Sequence, residues 1–504
     1  MKRHALIGAL ILSVVFSACK DKITEAELDT EKPSVSILFP VDGSVFKNDT
    51  AYTIIAGAND NKGVSFVDFY IDSNKVGTDS TTPYQYLWNT AGHAGSHSIL
   101  AKASDAAGNV GISIAITARV DSATQTATPW NIGQSAEAVL GQSDLTSTGT
   151  RTAGQNTIDN PWGLAVDGNG TLFVVDQGAH RVLRFDNATT KANGANADGV
   201  LGQSNFTNTV WNYSAGGSTP SANGFQTPVS VALDASGNLY VLDQGNGRVL
   251  RFNSAASKAN GAPADGVLGW PDFTSNGFGT TQSKFFTPQA VAVDPSGNLF
   301  VADGSNHRVL RFNNAATKAN GANADGVLGQ VDYTSSGKGT AADKISNPIS
   351  LAVDKNGNLY VGERGNCRVL IFLNAASKAN GAPADLVLGK ADFADGSTPS
   401  SASASTIYYP YQLAVDQNLN LYVADGAYNR VLVFYNAPSK KNGASADAVL
   451  GKKNFTSSSS TDVAPDNVGQ PYGVAVYSAT GKLFISDYSN ERVLRFQAKS
   501  DLHP

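Results

Sequence analysis

The chain has 504 residues, of which 16% are charged and 50 are glycine, where ordinary soluble domains carry about 25% charge and about 7% glycine; its length is enough for two to four domains. That profile suits strands joined by many tight turns. A formal net charge of −5, without a concentrated Lys/Arg face, excludes a partner such as nucleic acid held through its phosphates.

At the N-terminus Lys2 and Arg3 precede an apolar run from Ala5 to Phe16, followed by Ser17, Ala18 and Cys19. The run is too short for a membrane core of about 30 Å, which takes about 20 residues, so residues 1–18 read as a signal peptide. The ending FSAC resembles the bacterial lipobox, with Phe16 where that motif usually has Leu. The resemblance implies that Cys19 becomes a lipidated first residue, with 19–31 as a tether to the membrane. Lys20 and Asp21 resemble a short signal for the outer membrane or cell surface. With Cys19 lipidated, Cys367 has no partner for an intramolecular disulfide.

From residue 32 to 121, segments such as VSILF at Val35 and VDFYI at Val67 alternate in hydrophobicity between Gly, Asp and Asn clusters. They read as short strands of a β-sandwich, and their order resembles the bacterial immunoglobulin-like family. Trp88 is expected in its core, and Asp105, Gly108 and Asn109 in a hairpin. Asp60 and Asp105 are better read as turn residues than as calcium ligands, so no metal is expected. His93 and His97, in a Gly-rich stretch, are expected to be solvated. Residues 122–134 read as a linker, and the sandwich as a spacer holding the rest of the protein off the membrane.

Six blocks then share one plan. Each opens at Pro161, Pro228, Pro288, Pro348, Pro410 or Pro471, turns into a second strand such as GNLFVAD, and continues into a third such as RVLRF. A short fourth strand, VLGQ or its like, follows a Lys-Ala-Asn-Gly loop in five of them. Four strands per repeat make a propeller blade. The sixth block lacks its fourth strand, whereas an unpaired VLGQ lies ahead at Val139–Gln142. That segment is expected to close the ring and remove its free edge. The phrase VADGSNHRVLRF, Val301 to Phe312, resembles the NHL repeat, and all six blocks match it. The expected fold is therefore all-β, a six-bladed β-propeller over 135–497 behind an immunoglobulin-like β-sandwich, with 498–504 as a tail.

Ala165, Ala232, Ala292, Ala352, Ala414 and Ala475 suit a crowded axis. An acid ends each second strand and an Arg opens each third: Asp176 and Arg181, Asp243 and Arg248, Asp303 and Arg308, Glu363 and Arg368, Asp425 and Arg430, Asp487 and Arg492. A pair repeated in every blade reads as a strut, because a catalytic group is needed once. The slot before that Arg holds His180, Gly247, His307, Cys367, Asn429 and Glu491. It lies about 10 Å outside the innermost strand, so these groups cannot share a metal.

The long loops into each first strand carry Trp211, Tyr213, Phe225, Trp270, Phe278, Phe285, Phe286, Tyr408 and Tyr409. The residue after each repeat Pro varies: Trp162, Val229, Gln289, Ile349, Tyr411, Tyr472. Trp162, Tyr411 and Tyr472, with Gln289, Trp211, Trp270, Tyr408 and Tyr409, are candidates for binding a ligand at one face; equally, these rings pack the loops. Three functions are open. The first is an envelope protein, non-catalytic and without cofactor, that binds an extracellular protein, peptide or glycan. The second resembles propeller lactonases or lyases, which hold a metal on the axis; here loop carboxylates such as Asp144, Asp272 or Asp332 would have to reach inward. The third is a structural spacer whose identical KANGA loops, from Lys191, Lys258, Lys318 and Lys378, form the surface that matters.

Overall fold

The computed structural model describes residues 29–47, 51–91, 93–121, 130–149, 152–213 and 216–499. The signal peptide, Cys19, residues 122–129 of the linker and most of the tail lie outside them.

Alternation along Val64–Ile71 buries Val67, Phe69 and Ile71, and along Gly95–Asp105 it buries Ile99, Ala101 and Ala103, as a two-residue period requires. These strands sit in one sheet with Ser44–Lys47, Ile116–Asp121, Val110–Ile112 and Asn74–Asp79. Ser34–Phe39, Ala51–Asn59 and Tyr84–Asn89 make the facing sheet. Trp88 is buried between them, its ring edge-on to Phe46 at 5.9 Å. Asp105 accepts from the backbone and side-chain amides of Asn109 at 2.8 and 2.7 Å, with Gly108 at φ +90 in the turn between them. His97 departs from expectation. Its ring lies between the Asp72 carboxylate and the His93 carbonyl, each at 2.6 Å, and packs against Trp88, while His93 is exposed.

The repeats form six four-stranded antiparallel sheets among the described residues. Each first strand, as in Pro161–Val166 and Pro228–Leu233, neighbours that of the next sheet, and the sixth neighbours the first, so the ring is closed. Register repeats too: Asp176 faces Arg181 as Asp303 faces Arg308. In the last sheet the fourth strand is Ala138–Leu140, paired antiparallel with Arg492–Gln497. Trp130 and Gln134, within the expected linker, are built into the ring. Trp130 is 1% exposed and its indole donates to Tyr422 at 3.1 Å; Gln134 donates to the Gln497 carbonyl at 2.6 Å.

Adjacent sheets are tied by the Lys-Ala-Asn-Gly loops and by Lys440-Lys441-Asn442-Gly443 in the fifth. Asn193, Asn260, Asn320, Asn380 and Asn442 each accept, at 3.0 Å, from the amide of a fourth-strand Val in the preceding sheet. The following Gly donates back to the same Val, as Gly321 does to Val267 at 3.0 Å. Gly321 holds φ +67, and its backbone lies so close to Pro271 that a Cβ would not fit. The identity of these loops thus has a structural cause.

Candidate functional site

The acid–Arg pairs lie at one end of the ring and organise its long loops. All twelve residues are fully buried. The Arg Nε donates to the Asp at 2.7–2.8 Å in five sheets, and to Glu363 in the fourth. Each guanidinium also reaches loop carbonyls; Arg308 takes those of Thr281 at 2.8 Å, Lys284 at 3.1 Å and Tyr333. The acid's second oxygen accepts a loop amide. Asp176 takes Asp159, Asp243 takes Gln226, Asp303 takes Phe286, Glu363 takes Ser346, Asp425 takes Tyr408 and Asp487 takes Gly469. A five-donor fork in a dry site is suited to such a fan. The pairs therefore hold loops as well as hairpins.

The slot before each Arg has positive φ, from 52 to 62, in His180, Gly247, His307, Cys367, Asn429 and Glu491. Four of its side chains accept an amide of the next sheet's loop. His180 and His307 accept through Nδ1 from Thr227 at 3.1 Å and Asn347 at 3.0 Å, Asn429 from Gln470 at 2.8 Å, and Glu491 from Asn160 at 2.6 Å. The slot is a seam between neighbouring sheets.

Burial lowers the pKa of both His180 and His307 below the ordinary 6.5, because desolvation disfavours the cation. The unfolded chain then takes up protons first as pH falls. Their stabilisation, complete above pH 6.5, is lost as pH falls from there toward the folded-state values. In urea unfolding, the H180N/H307N variant, which keeps an acceptor that does not titrate, is expected to lose less stability than the parent between pH 7.5 and 5.5. Equal losses in the two would remove the histidines from the seam's pH response.

On the axis, Gly163, Ser230, Ala290, Ser350 and Gln412, with Trp162, Gln289, Tyr411 and Tyr472, line a small cavity with room for about one water molecule. Gln412 ties its own strand to two other first strands. Its carboxamide oxygen accepts from the Leu164 and Val474 amides, each at 3.0 Å, and its nitrogen donates to the Leu164 carbonyl at 2.8 Å.

At this cavity the aromatic side chains converge. Tyr411 and Tyr472 have ring centroids 4.0 Å apart, and Trp162 lies 4.5 Å from Tyr472. Tyr488 continues the group at 4.3 Å from Tyr472, while Tyr409 and Tyr408 extend it from Tyr411 at 6.2 and then 4.2 Å. All six are half-buried, and Arg364 lies over the Tyr409 ring at 4.6 Å. Tyr411 rests on Gly426, where any Cβ would strike its ring. Across the mouth Gln244 donates to the Gln289 carboxamide at 3.0 Å. Burial, then the Tyr411 hydroxyl, raises the pKa of Tyr472; its hydrogen bond to Tyr409, then burial, pushes Tyr408 up to about 12. These phenols stay neutral.

Trp162, Tyr411, Tyr472, Tyr408 and Tyr409 thus come together, and Gln289 shares the cavity rim. Trp211 and Trp270 stand apart: Trp211 packs on His180 at 6.0 Å, and the Lys284 ammonium covers Trp270 at 4.1 Å. Phe225 and Phe285 are core residues at 0% exposure. Tyr488 was the residue to add. Its signal is the position after each strut acid, held by Gln177, Gln244, Gly304, Arg364, Gly426 and Tyr488.

The loop carboxylates turn onto their own loops. Asp144, Asp272 and Asp332 accept from the amides two and three residues on, each within 2.8 Å. Hydroxyl and amide donors hold all three below the ordinary range, Asp332 at about 2. Among the described residues the one group of carboxylates close enough to share a cation is Asp29, Asp60 and Asp105, in the first domain. There Asn109 engages both oxygens of Asp105 and the Lys62 amide engages Asp60, as turns require.

The bacterial Ig domain family matches residues 33–101, and the NHL repeat family matches 159–185, 225–252, 287–312 and 346–372. The chain therefore carries a bacterial Ig domain followed by NHL repeats; the fifth and sixth sheets repeat the same strand order outside the matched segments. Human teneurin-1 is 26% identical over 227 residues, 43% of this chain. The chain spans only 8% of the length of that relative. An auxiliary nutrient binding protein from Bacteroides ovatus overlays at a TM-score of 0.46 and 13% identity, covering 93% of this chain and 99% of that one. A gluconolactonase from Xanthomonas campestris overlays at 0.40 and 15%, covering 73% and 99%. Likenesses of this order bear on neither ligand nor chemistry.

Proposed function

We propose that this NHL-repeat ring, with its bacterial Ig domain, is a non-catalytic binding protein of the cell envelope, lipid-anchored through Cys19, whose aromatic mouth takes an extracellular glycan. The observation that carries the reading is the continuous group of half-buried rings, Trp162, Tyr411, Tyr472 and Tyr488, at the small cavity lined by the first strands. Half-buried rings on rigid strands offer flat apolar faces at little entropic cost. Gln244, Gln289, Gln470 and Ser489 supply neutral hydrogen-bonding groups nearby. Neutral hydrogen-bonding groups beside stacked rings suit the hydroxyls and C–H faces of a sugar, and the Arg364 guanidinium over Tyr409 adds a donor of the same use.

A metal-dependent reaction on the axis draws little support. The axial layer is Gly, Ser, Ala and Gln, the Gln412 carboxamide oxygen already accepts two backbone amides, and the loop carboxylates are bonded to their own loops.

Binding of the mature chain to a glycan array, with a peptide array beside it, tests the reading. Trp162→Ala with Tyr472→Ala is expected to weaken the best glycan by at least about 30-fold, roughly 2 kcal/mol, with the folded ring retained in circular dichroism. Retained glycan affinity would place the site elsewhere, and hits confined to peptides would overturn the ligand class.

A further inference from the structure

We propose that the outer face of the fourth and fifth sheets is a dedicated docking face for the chain's own immunoglobulin-like domain, so that the two form one rigid unit instead of a tethered pair. The repeats supply their own control. In the first three sheets an Arg in the third strand faces a Gly in the fourth: Arg184 and Gly199, Arg251 and Gly266, Arg311 and Gly326. The guanidinium lies against that Gly, where a Cβ would crowd it at 2.9–3.0 Å. It then crosses to the next sheet, where Arg251 and Arg311 donate to the Ala315 and Ala375 carbonyls at 3.1 and 3.2 Å. In the fourth sheet the pair becomes Ile371 and Leu386, and in the fifth Val433 and Ala448. Leu373 and Tyr435 likewise stand where those three sheets have Asp186, Asn253 and Asn313. Polar partners have been exchanged together for apolar ones.

The immunoglobulin-like domain lies against the replacements of the fourth sheet, whereas Val433, Ala448 and Tyr435 of the fifth pack with Trp130 and Ala136 of the segment that leads into the ring. Ile371, Leu373 and Leu386, each at most 1% exposed, join one continuous apolar cluster with its Phe39, Ile55 and Trp88. Gln85 of this domain donates to the Asp385 carbonyl at 3.1 Å. Asp385, paired with Lys378, has a side chain 7% exposed, whereas the equivalent Asp265 and Asp325 are each 32% exposed. Strand Ala51–Asn59 approaches the turn Ala437–Ser439, in which all three residues are buried; the equivalent turns at Ala255 and Ala315 bury only that Ala. One partner accounts for the apolar exchange and the covered ion pair of the fourth sheet and for the covered turn of the fifth. Apolar area removed from water holds the contact.

The test uses the full mature chain and the substitutions I371R, L373N and L386G, residues that the third sheet carries in the same fold. Hydrogen exchange across Tyr84–Asn89 is expected to accelerate about tenfold, and the maximum dimension in small-angle scattering to increase, while the strut strands keep their protection. Q85E, which sets a carboxylate against the Asp385 carbonyl, reads the same contact from the other side if the triple variant misfolds. Unchanged exchange and scattering in the folded variants would overturn the proposal. So would a parent chain whose scattering already requires a swinging domain.

Discussion

Arg430→Met is expected to destabilise the protein by about 3–5 kcal/mol, the cost of leaving Asp425 buried without its partner, and to weaken binding at the mouth as well. The pair is fully buried at 2.8 Å, so solvent offers the carboxylate no replacement. Arg430 also donates to the Thr406 carbonyl at 2.7 Å and to that of Phe455, while Asp425 accepts the Tyr408 amide at 2.7 Å. Losing the fan releases the loop that carries Tyr408 and Tyr409 into the aromatic group. Arg430→Lys is expected to recover only part of the stability, because one ammonium cannot reach a carboxylate and two carbonyls in a fork geometry. Arg248→Met, in the second sheet, which carries none of the six rings but the same buried pair, is expected to match Arg430→Met in urea-unfolding cost but to spare glycan affinity. A wild-type unfolding midpoint in Arg430→Met would show that these pairs organise nothing.

Spacing reveals the repeats, since the opening Pro, the acid ending the second strand and the Arg opening the third recur with the same offsets in five blocks, and with one residue more between Pro471 and Asp487 in the sixth. Such positions are legible because one backbone geometry demands one residue type. The seam slot was opaque for the opposite reason. His180, Asn429 and Glu491 are chemically unlike, yet each tolerates or adopts positive φ and presents an acceptor to the next sheet. What is shared is an atom's position, which residue identity does not display. Tyr488 follows a strut acid and reaches the mouth only through the turn that starts there. Trp130 belongs to the ring although its neighbours read as linker, because the hydrogen-bonding partner of its indole, Tyr422, is 292 residues away. The exchange of Arg and Gly for Ile371 and Leu386 is visible in the sequence, but RVLIF and RVLVF among RVLRF segments read as conservative drift until the strands are paired.

Val139→Asp is expected to open the ring. Val139 has no exposure, faces Leu494 across the last sheet and packs in one cluster with Tyr422, Leu450 and Val474. An unpaired carboxylate there costs more than about 3 kcal/mol, more than a three-residue strand contributes through its hydrogen bonds at about 1 kcal/mol each. The segment is therefore expected to leave the sheet before the rest unfolds. Its departure also removes the bond from Gln142 to the Glu491 carbonyl at 2.9 Å and the ion pair of Glu137 with Arg495 at 2.6 Å. Strand Arg492–Gln497 then becomes a free edge, able to accept the same strand of another molecule. Val327→Asp supplies the control: it buries the same charge in an interior fourth strand whose chain is held on both sides, so the ring stays closed. Size-exclusion chromatography is expected to show concentration-dependent dimers for Val139→Asp and monomers for Val327→Asp at comparable losses of stability. Monomers in both cases would mean that the N-terminal strand fills the last sheet without being what keeps its edge from other chains.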